Sequence, residues 1–578
     1  RTNKPGEQAT EVAGSIVESA LSALPISKKM RWGANTYEFA RPTHWMLILY
    51  GNQTIKATIM GLVSSNITYG HRFHSDGPIP ISTPDSYLNS LYKANVMAEF
   101  EARKLKIKST VISEANSVRG TAVIDDGLLR EVTALVEWPV ALLGTFDERF
   151  LALPKEALIT SMQEHQKYFP VENKVGELLP FFITISNIQS SNPSQVISGN
   201  ERVIRPRLAD TVFFYDADKK STLENKREAL RSVVFQEKLG SLYDKTERLS
   251  GLAEFLSPLV GAEVAISKRA AKLCKSDLVS EMVGEFASLQ GVMGRYYAIN
   301  DKEHPEVAEA LLEHYMPRYS GDLIPQTATG TTVALADRLD TLIGIFAIGQ
   351  SPSGSRDPFA LRRASLGLLR IIVEGQLDLN LYDVLHFAAL QHDCLASDLD
   401  AAEDTCQQVL TYILDRFTAI YEDKKILTEV YQSVASRKLK SPFDIDQRVH
   451  AVHKFTALPE AASLAAANKR VSNILAKQAD TVLPKHVNVS LLAEPAEVAL
   501  AKLLQELESK IYPLLKEKCY EDALRLLSNL KCPIDNFFDD VMVMVEDHDI
   551  RNNRLALLRQ LRSLFLEVAD ISLLAPSK

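Results

Sequence analysis

The chain has 578 residues, 46% hydrophobic and 24% charged, with a formal net charge of −8. That composition suits globular domains with full cores, roughly four at about 150 residues each. It excludes bulk attraction to nucleic acid, although a local basic patch still acts within about 10 Å, and no apolar run nears the roughly 18 residues that span a bilayer.

Residues 1–28 lack an initiator Met and a signal-peptide pattern, and read as the remnant of a longer chain. From Lys29 to about Phe214 the pattern is mixed. "HWMLILYG", "IKATIMGLV" and "FFITISNI" are Ile-, Thr-, Val- and Phe-rich runs bounded by Gly, Asn or Pro, which predict strands. "SYLNSLYKANVMAEFEARKLKIKSTVISEA" predicts one long helix introduced by "STPD". Strands alternating with helices predict an α+β or α/β domain. "GHRFHSDGP" sets His71 and His74 three apart without a third ligand, the pattern of a loop with satisfied histidines rather than a metal site. "GNERVIRPRLAD" gathers Arg202, Arg205 and Arg207, candidates for phosphate or a partner surface.

From about Ser221 helix follows helix, with breaks at "HPEV", "SPSGSRDP", "LKSPFD" and "AEPAEV" and no internal repeat. In "SPSGSRDPFALRRASLGLLRII" Asp357 is placed to cap a helix begun by Pro358, with Arg356, Arg362, Arg363 and Arg370 on or beside it. Arginine forks onto phosphate or carboxylate, so the anion is either external or an internal acid such as Asp337 or Asp340. The five cysteines (274, 394, 406, 519, 532) form no C-x-x-C pair, which points to a reducing compartment and away from structural zinc.

Near the end, "EVALAKLLQELESKIYPLL" carries an amphipathic stripe of Leu500, Leu503, Leu504, Leu507, Ile511, Leu514 and Leu515. "CPIDNFFDDVMVMVED" holds Asp535, Asp539 and Asp540. A Mg²⁺ site lacks the further oxygen spacing it needs, so Asp535 is expected to cap a helix after Pro533, with the other acids near its N-terminal end. In "RNNRLALLRQLRSLFLEVADISLL" Leu557, Leu561, Leu564 and Val568 form the buried side, and Arg551, Arg559 and Arg562 share a neighbouring face. That face is either solvated or a strip for phosphates.

These last segments resemble the helical anticodon-binding (DALR-like) domain shared by arginyl-tRNA synthetases and the bacterial glycyl-tRNA synthetase β subunit. Upstream, "MRWGANTYEFARPTHWMLILYG", "VEWPVALLGTFDERFLALP", "ISGNERVIRPRLADTVFFYDAD", "QGVMGRYYA", "IGQSPSGSRDPFALRRASLGLLRIIVE" and "LAAANKRVSNIL" resemble the same β-subunit family in its order, over nearly the whole chain. The resemblance implies a multidomain α+β protein. A remnant helical segment (1–28) precedes a B3/B4-like mixed domain (29–218), an HD-like helical domain (219–350), a helical linker (351–443) and an anticodon-binding helical bundle (444–578). It further implies a cytoplasmic α2β2 heterotetramer. In it, the α subunit forms glycyl-adenylate using ATP and Mg²⁺, and this chain, binding no cofactor itself, holds tRNA-Gly. Arg551, Asn552, Asn553, Arg559, Arg562, Lys469 and Arg470 are the expected tRNA contacts.

The HD resemblance is degenerate. Lys245 in "YDKTERLSGLAEFL" and Ser276 in "AAKLCKSDLV" stand where imidazole ligands belong, while Asp277 and Asp337 in "ALADRLDTL" are kept. Two acids without imidazoles make a poor transition-metal site, and His304 and His314 are the nearest histidines to replace them. The sequence has no G-x-x-x-x-G-K-S/T loop, no G-x-S-x-G elbow and no class I or class II synthetase signature. Isolated, the chain is therefore expected to be catalytically inactive. The alternatives are an HD-type nucleotide phosphohydrolase and an assembly scaffold that never touches RNA.

Overall fold

The computed structural model describes residues 6–354, 356–478 and 482–575. The chain forms two compact units, Arg1–Lys220 with Glu285–Leu289, and Ser221–Gly284 with Gln290–Lys578. Among the described residues no helix is long and apolar enough to cross a membrane.

The first unit is organised by one antiparallel sheet in the order β1 (Thr121–Ala122), β3 (Phe169–Glu172), β4 (Leu178–Ser186), β2 (Val140–Thr145). Side chains alternate faces along a strand, and β4 shows it. Ile183 joins a core with Ile107, Val111 and Ala115 of helix α1 (Phe100–Ser117) and Leu128, Leu129 and Val132 of α2 (Asp126–Leu135). Phe182 points the other way, into Phe150, Met162, Tyr168, and Ile204 and Leu208 of α3 (Pro193–Asp218). Gly144 sits opposite Phe182 in β2, and a Cβ there would lie 2.4 Å from the Phe182 ring.

Two expectations fail here. The predicted long helix is two, Tyr87–Lys93 and α1, because Asn95 turns left-handed (φ 60°) and the intervening Met97 N–H donates to the Glu137 carbonyl at 2.9 Å. "IKATIMGLV" is not one strand but a tight hairpin, Thr58–Ile59 against Leu62–Val63, turned at Met60 and Gly61 with positive φ. His71 and His74 are satisfied, but by the segment after β4 rather than within their own loop: the His71 ring meets the Asn187 carbonyl at 2.6 Å and His74 Nε2 accepts from Gln189 N–H at 2.9 Å.

In the second unit every described regular element is helical apart from the hairpin Val234–Gln236/Gly240–Ser241. Its first half centres on α6 (Ala328–Ala347), buried almost all round, as an apolar helix in a core must be. Around α6 pack α4 (Leu242–Val260), α5 (Val264–Leu273) and α7 (Leu361–Glu374). Its second half contains α8 (Ala461–Ala476), α9 (Pro495–Lys516), α10 (Lys531–Asp540) and α11 (His548–Leu566). Of the leucine stripes, Leu500, Leu504, Leu507 and Ile511 of α9, Leu557, Leu561 and Leu564 of α11, and Val568 just after it are buried, whereas Leu503, Leu514 and Leu515 are half-buried.

Asp535 does not cap α10. The helix starts at Lys531, two residues before Pro533, and Asp535 pairs instead with Lys531 at 3.0 Å. Asp539 and Asp540 therefore lie at the C-terminal end of α10, not near its N-terminus. The helix after "SPSGSRDP" likewise starts later than Pro358, at Leu361, because Ala360 is left-handed (φ 54°). Asp357 still caps it, its two oxygens accepting from Leu361 and Arg362 N–H at 2.8 and 2.9 Å.

Candidate nucleic-acid interface

Two of the degenerate HD positions, Lys245 and Asp337, meet in the second unit. Lys245 Nζ lies 3.0 Å from Asp337 Oδ1 and 2.9 Å from Asp340 Oδ2, and Lys275 Nζ lies 2.9 Å from Asp337 Oδ2. Arg248 and His392 close on Asp340 at 2.6 and 3.3 Å. Burial alone would raise the Asp337 carboxyl, but the Lys245 and Lys275 ammoniums hold it well below the usual range. Asp340 is depressed against its own burial by Lys245, His392 and Arg248. Two lysine ammoniums thus sit on Asp337, and three basic side chains saturate Asp340.

Asp277 points elsewhere. One of its oxygens accepts from Gly291 and Gly294 N–H at 2.6 and 3.1 Å, and burial pushes its carboxyl up to about 6. Ser276 is fully buried beside it. His314 is buried, which lowers its pKa, with Nδ1 on the Leu311 carbonyl at 2.9 Å. His304 accepts from Glu306 N–H at 3.3 Å as a helix cap, whereas His314 Nε2 is buried without a hydrogen-bond partner among the described residues. Among the described residues no group of three or more His, Cys, Asp or Glu side chains is placed to hold a metal ion.

Asp337 and Asp340 are consequently not the partners of the arginines after the Gly/Ser loop. Arg362 donates to the Gly354 carbonyl, and Arg370 pairs with Glu374 at 2.7 Å and donates to the Asp322 carbonyl at 2.8 Å. Arg356 and Arg363 are exposed. Arg363 and Arg370 line a cleft of about 370 Å³ floored by Leu366, Leu369, Val373, Phe417 and Ile420. In the first unit Arg202, Arg205 and Arg207 are all exposed on α3, without an ion pair among the described residues.

The C-terminal helices give a different picture of their basic strip. Arg562 is paired with Asp570 at 2.9 Å. Arg551 reaches back to the Val545 carbonyl and the His548 ring. Asn553 is buried and spends its amide on Asn488, accepting from its N–H at 2.7 Å and donating to its carbonyl at 3.0 Å. It is a staple for the loop before α9, so it is not open to RNA. Lys469 donates to the Ala575 carbonyl at 3.2 Å, and exposed Arg470 stacks 4.1 Å from the Phe538 ring. Asn552 lines a small pocket with Val482, Pro484 and Asn488.

Arg559 differs from Arg562. Its partner is the neutral Pro484 carbonyl, so its charge is not cancelled, and it faces a groove of about 680 Å³. One wall is a flank of α9: Val498, Lys502, Gln505 and Glu508. The other is a flank of α11: Ala556, Arg559, Gln560 and Ser563. The loop 485–492, with Lys485, His486 and Val489, closes the side. Positions three and four apart share a helix face, which is why each flank is continuous. The walls are bolted together by buried Arg554, which meets Glu497 of α9 and donates to the Met542 carbonyl at 2.7 Å. Gln560 Nε2 donates to Glu508 Oε2 at 3.1 Å across the groove. The groove therefore combines Lys485, Lys502 and Arg559 with side-chain amides and exposed valine, around a single carboxylate.

Residues 1–436 match the family described as Glycyl-tRNA synthetase beta subunit, and residues 464–571 match the DALR anticodon binding domain. The glycine–tRNA ligase beta subunit of Marinobacter nauticus is 51% identical over 576 residues, 99% of this chain and 82% of that protein. The chain belongs to the glycyl-tRNA synthetase β-subunit family. The proteins of the same description from Chromohalobacter salexigens and Acinetobacter baylyi are 51% and 49% identical over 572 and 570 residues, again 82% of each relative. As a glycyl-tRNA synthetase β subunit the chain is a component of an aminoacyl-tRNA synthetase, a ligase. Both walls of the groove lie inside the DALR-matching residues. Sequence reasoning found Arg559 but missed Lys485, Lys502, Gln505, Glu508 and Gln560. The signal was there in α9, as a second polar stripe at 3-4 spacing beside the leucines.

Proposed function

We propose that this chain binds and positions tRNA-Gly for a partner α subunit, which forms glycyl-adenylate from glycine, ATP and Mg²⁺. The observation that carries this reading is the cationic, amide-lined groove within a DALR-matching domain, in a chain whose net charge is otherwise negative. Single-stranded loops are held by phosphate contacts and read on base edges, and the groove supplies donors for the first and amides for the second. In this reading the C-terminal bundle (444–578) takes the anticodon arm. The exposed arginines of α3 and Arg363, in the B3/B4-like (29–218) and linker (351–443) domains, meet the tRNA body or the partner. The complex is an α2β2 heterotetramer of the cytoplasm. The HD-like domain (219–350) serves as scaffold. A hydrolase reading is disfavoured because lysine ammoniums already neutralise Asp337, the acid such a metal would need.

A gel shift against tRNA-Gly, with and without the α subunit, tests the reading. The chain should bind tRNA, and charging should require both subunits. ATP–pyrophosphate exchange driven by glycine with this chain alone, or failure of the complex to retain tRNA-Gly, would overturn it.

A further inference from the structure

We infer that the outward face of α3 is the surface on which the partner α subunit docks, an inference that rests on the two-subunit role proposed above. The helix packs through Ile204, Leu208 and Thr211, which are buried. At about 100° per residue, Arg202, Pro206, Ala209 and Phe213 share the opposite side, and all four are exposed. Arg205 flanks that ridge on one side, and Val203, Arg207 and Asp210 flank it on the other. A helix face that meets only water is ordinarily polar and charged. This one instead carries an aromatic ring at Phe213 that is 69% exposed, Val203 at 48%, and a proline and an alanine between its charges.

The charges are unspent. Arg202, Arg205 and Arg207 have no side-chain hydrogen bond or ion pair among the described residues, although the chain holds 73 acidic against 65 basic residues. Counter-charges are abundant in the chain and none is placed here, so carboxylates from outside it complete these guanidiniums, which fork onto them with paired hydrogen bonds. Asp210 is exposed and likewise unpaired among the described residues. Pro206 brings no N–H, so the Arg202 carbonyl lacks its usual intrahelical donor and stays open as an acceptor on the same face.

These features together select a protein over RNA. A phosphate backbone gains from cations but nothing from Phe213 or Val203, and Asp210 repels it. Protein interfaces concentrate aromatic side chains and arginine, and their hot spots are drawn from the same types. Phe213 is the anchor, entering an apolar slot on the α subunit. Arg202 and Arg205 meet carboxylates around that slot, and the short side chains of Pro206 and Ala209 let the partner approach the helix closely. From Arg202 to Phe213 the helix advances about 16 Å, the length of the centre of a contact that buries roughly 800 Å² per partner. The surface that fits it is apolar in the middle and acidic at the rim.

The test measures association of the full chain with the purified α subunit by surface plasmon resonance, with tRNA-Gly binding by the chain read in parallel. Phe213→Ser should weaken association with the α subunit roughly thirtyfold, the size of a hot spot. Phe213→Tyr, which keeps the ring, should retain most of the affinity. Arg202→Glu combined with Arg205→Glu should weaken association about tenfold or more, and should abolish the fall of the wild-type association rate with rising salt. The serine and double-glutamate variants should hold tRNA-Gly as wild type does, and charging by the mixed subunits should recover at high α-subunit concentration, which a misfolded chain would not allow. Unchanged association in both of these variants would overturn the inference and leave the two-subunit role standing. Loss of tRNA affinity with association intact would assign the face to RNA and overturn it as well. Failure of the wild-type chain to associate with the α subunit would remove the two-subunit role itself, and the docking face with it.

Discussion

The cluster around Asp340 and the groove between α9 and α11 are made from the same residue types and use them in opposite ways. Around Asp340, two lysines, an arginine and a histidine meet two acids, and Lys245 and Asp340 are 3% and 0% exposed. In the groove, Lys485, Lys502 and Arg559 surround Glu508 at the surface. A buried cation without a counter-charge costs several kcal/mol, so interior lysines are paired until no charge is left for a ligand. A surface cation costs little and keeps its charge. Basic residues in a sequence therefore announce a ligand only where the fold leaves them near water.

The sharpest way to break that comparison is to remove an acid from the buried cluster. Asp340→Ala would leave Arg248 and His392 without their carboxylate in the interior, and Lys245 with Asp337 alone. It should destabilise the second unit by about 3–5 kcal/mol, read as a lowered urea midpoint, with tRNA binding lost only as the protein unfolds. A loss under about 1 kcal/mol would mean that water reaches the cluster and that the two regions do not differ in kind.

Acid titration sharpens the same point. The folded pKa of Asp277 is raised to about 6 by burial, above the roughly 3.9 of an unfolded aspartate. Its contribution to stability is therefore fully present below about pH 4 and lost as pH rises through 6. A rise of that size is worth about 3 kcal/mol. Asp337 and Asp340 are depressed, so their contribution runs the other way, present above about pH 4 and lost below it. Asp277→Asn stays neutral, so the stability difference between wild type and variant should change by up to about 3 kcal/mol as pH rises from 4 through 6. A difference independent of pH would show that Asp277 is not desolvated.

How much of this was legible beforehand follows the range of the forces involved. The apolar stripes of α9 and α11 were, because 3-4 spacing is local and burial follows it. The two faces of β4 follow from strand alternation once "FFITISNI" is a strand. The break before α1 was not, because it is set by a bond from Met97 N–H to the distant Glu137 carbonyl in a stretch rich in helix formers. The start of α10 was misplaced because Pro533 suits the first turn of a helix as well as the residue before one. Lys245 and Ser276 could be seen to replace imidazoles, but not that Lys245 and Lys275 would meet at Asp337, 92 and 62 residues away in the chain. The groove draws on residues from three separate segments, 485–492, 498–508 and 556–563, and no single window contains it.

The smallest expected effect separates two arginines that the sequence put on one face. Arg559 and Arg562 lie one turn apart on α11, both partly exposed. Arg562 faces Asp570 at 2.9 Å, with side chains 27% and 17% exposed, whereas Arg559 has a carbonyl for a partner and a groove in front of it. Arg559→Ala should weaken tRNA-Gly binding and reduce the log–log salt slope by roughly 0.7, the share of one single-strand phosphate. Arg562→Ala should cost no more than about 1 kcal/mol of stability, as for a near-surface ion pair, and leave both affinity and slope where they were. Filter binding over a salt series reads both variants. Equal losses would mean that Asp570 gives up its arginine to the RNA, and that a paired charge at the surface is as available as a free one. Unequal losses would establish that on this helix, as around Asp340, what an arginine can do is decided by the acid beside it.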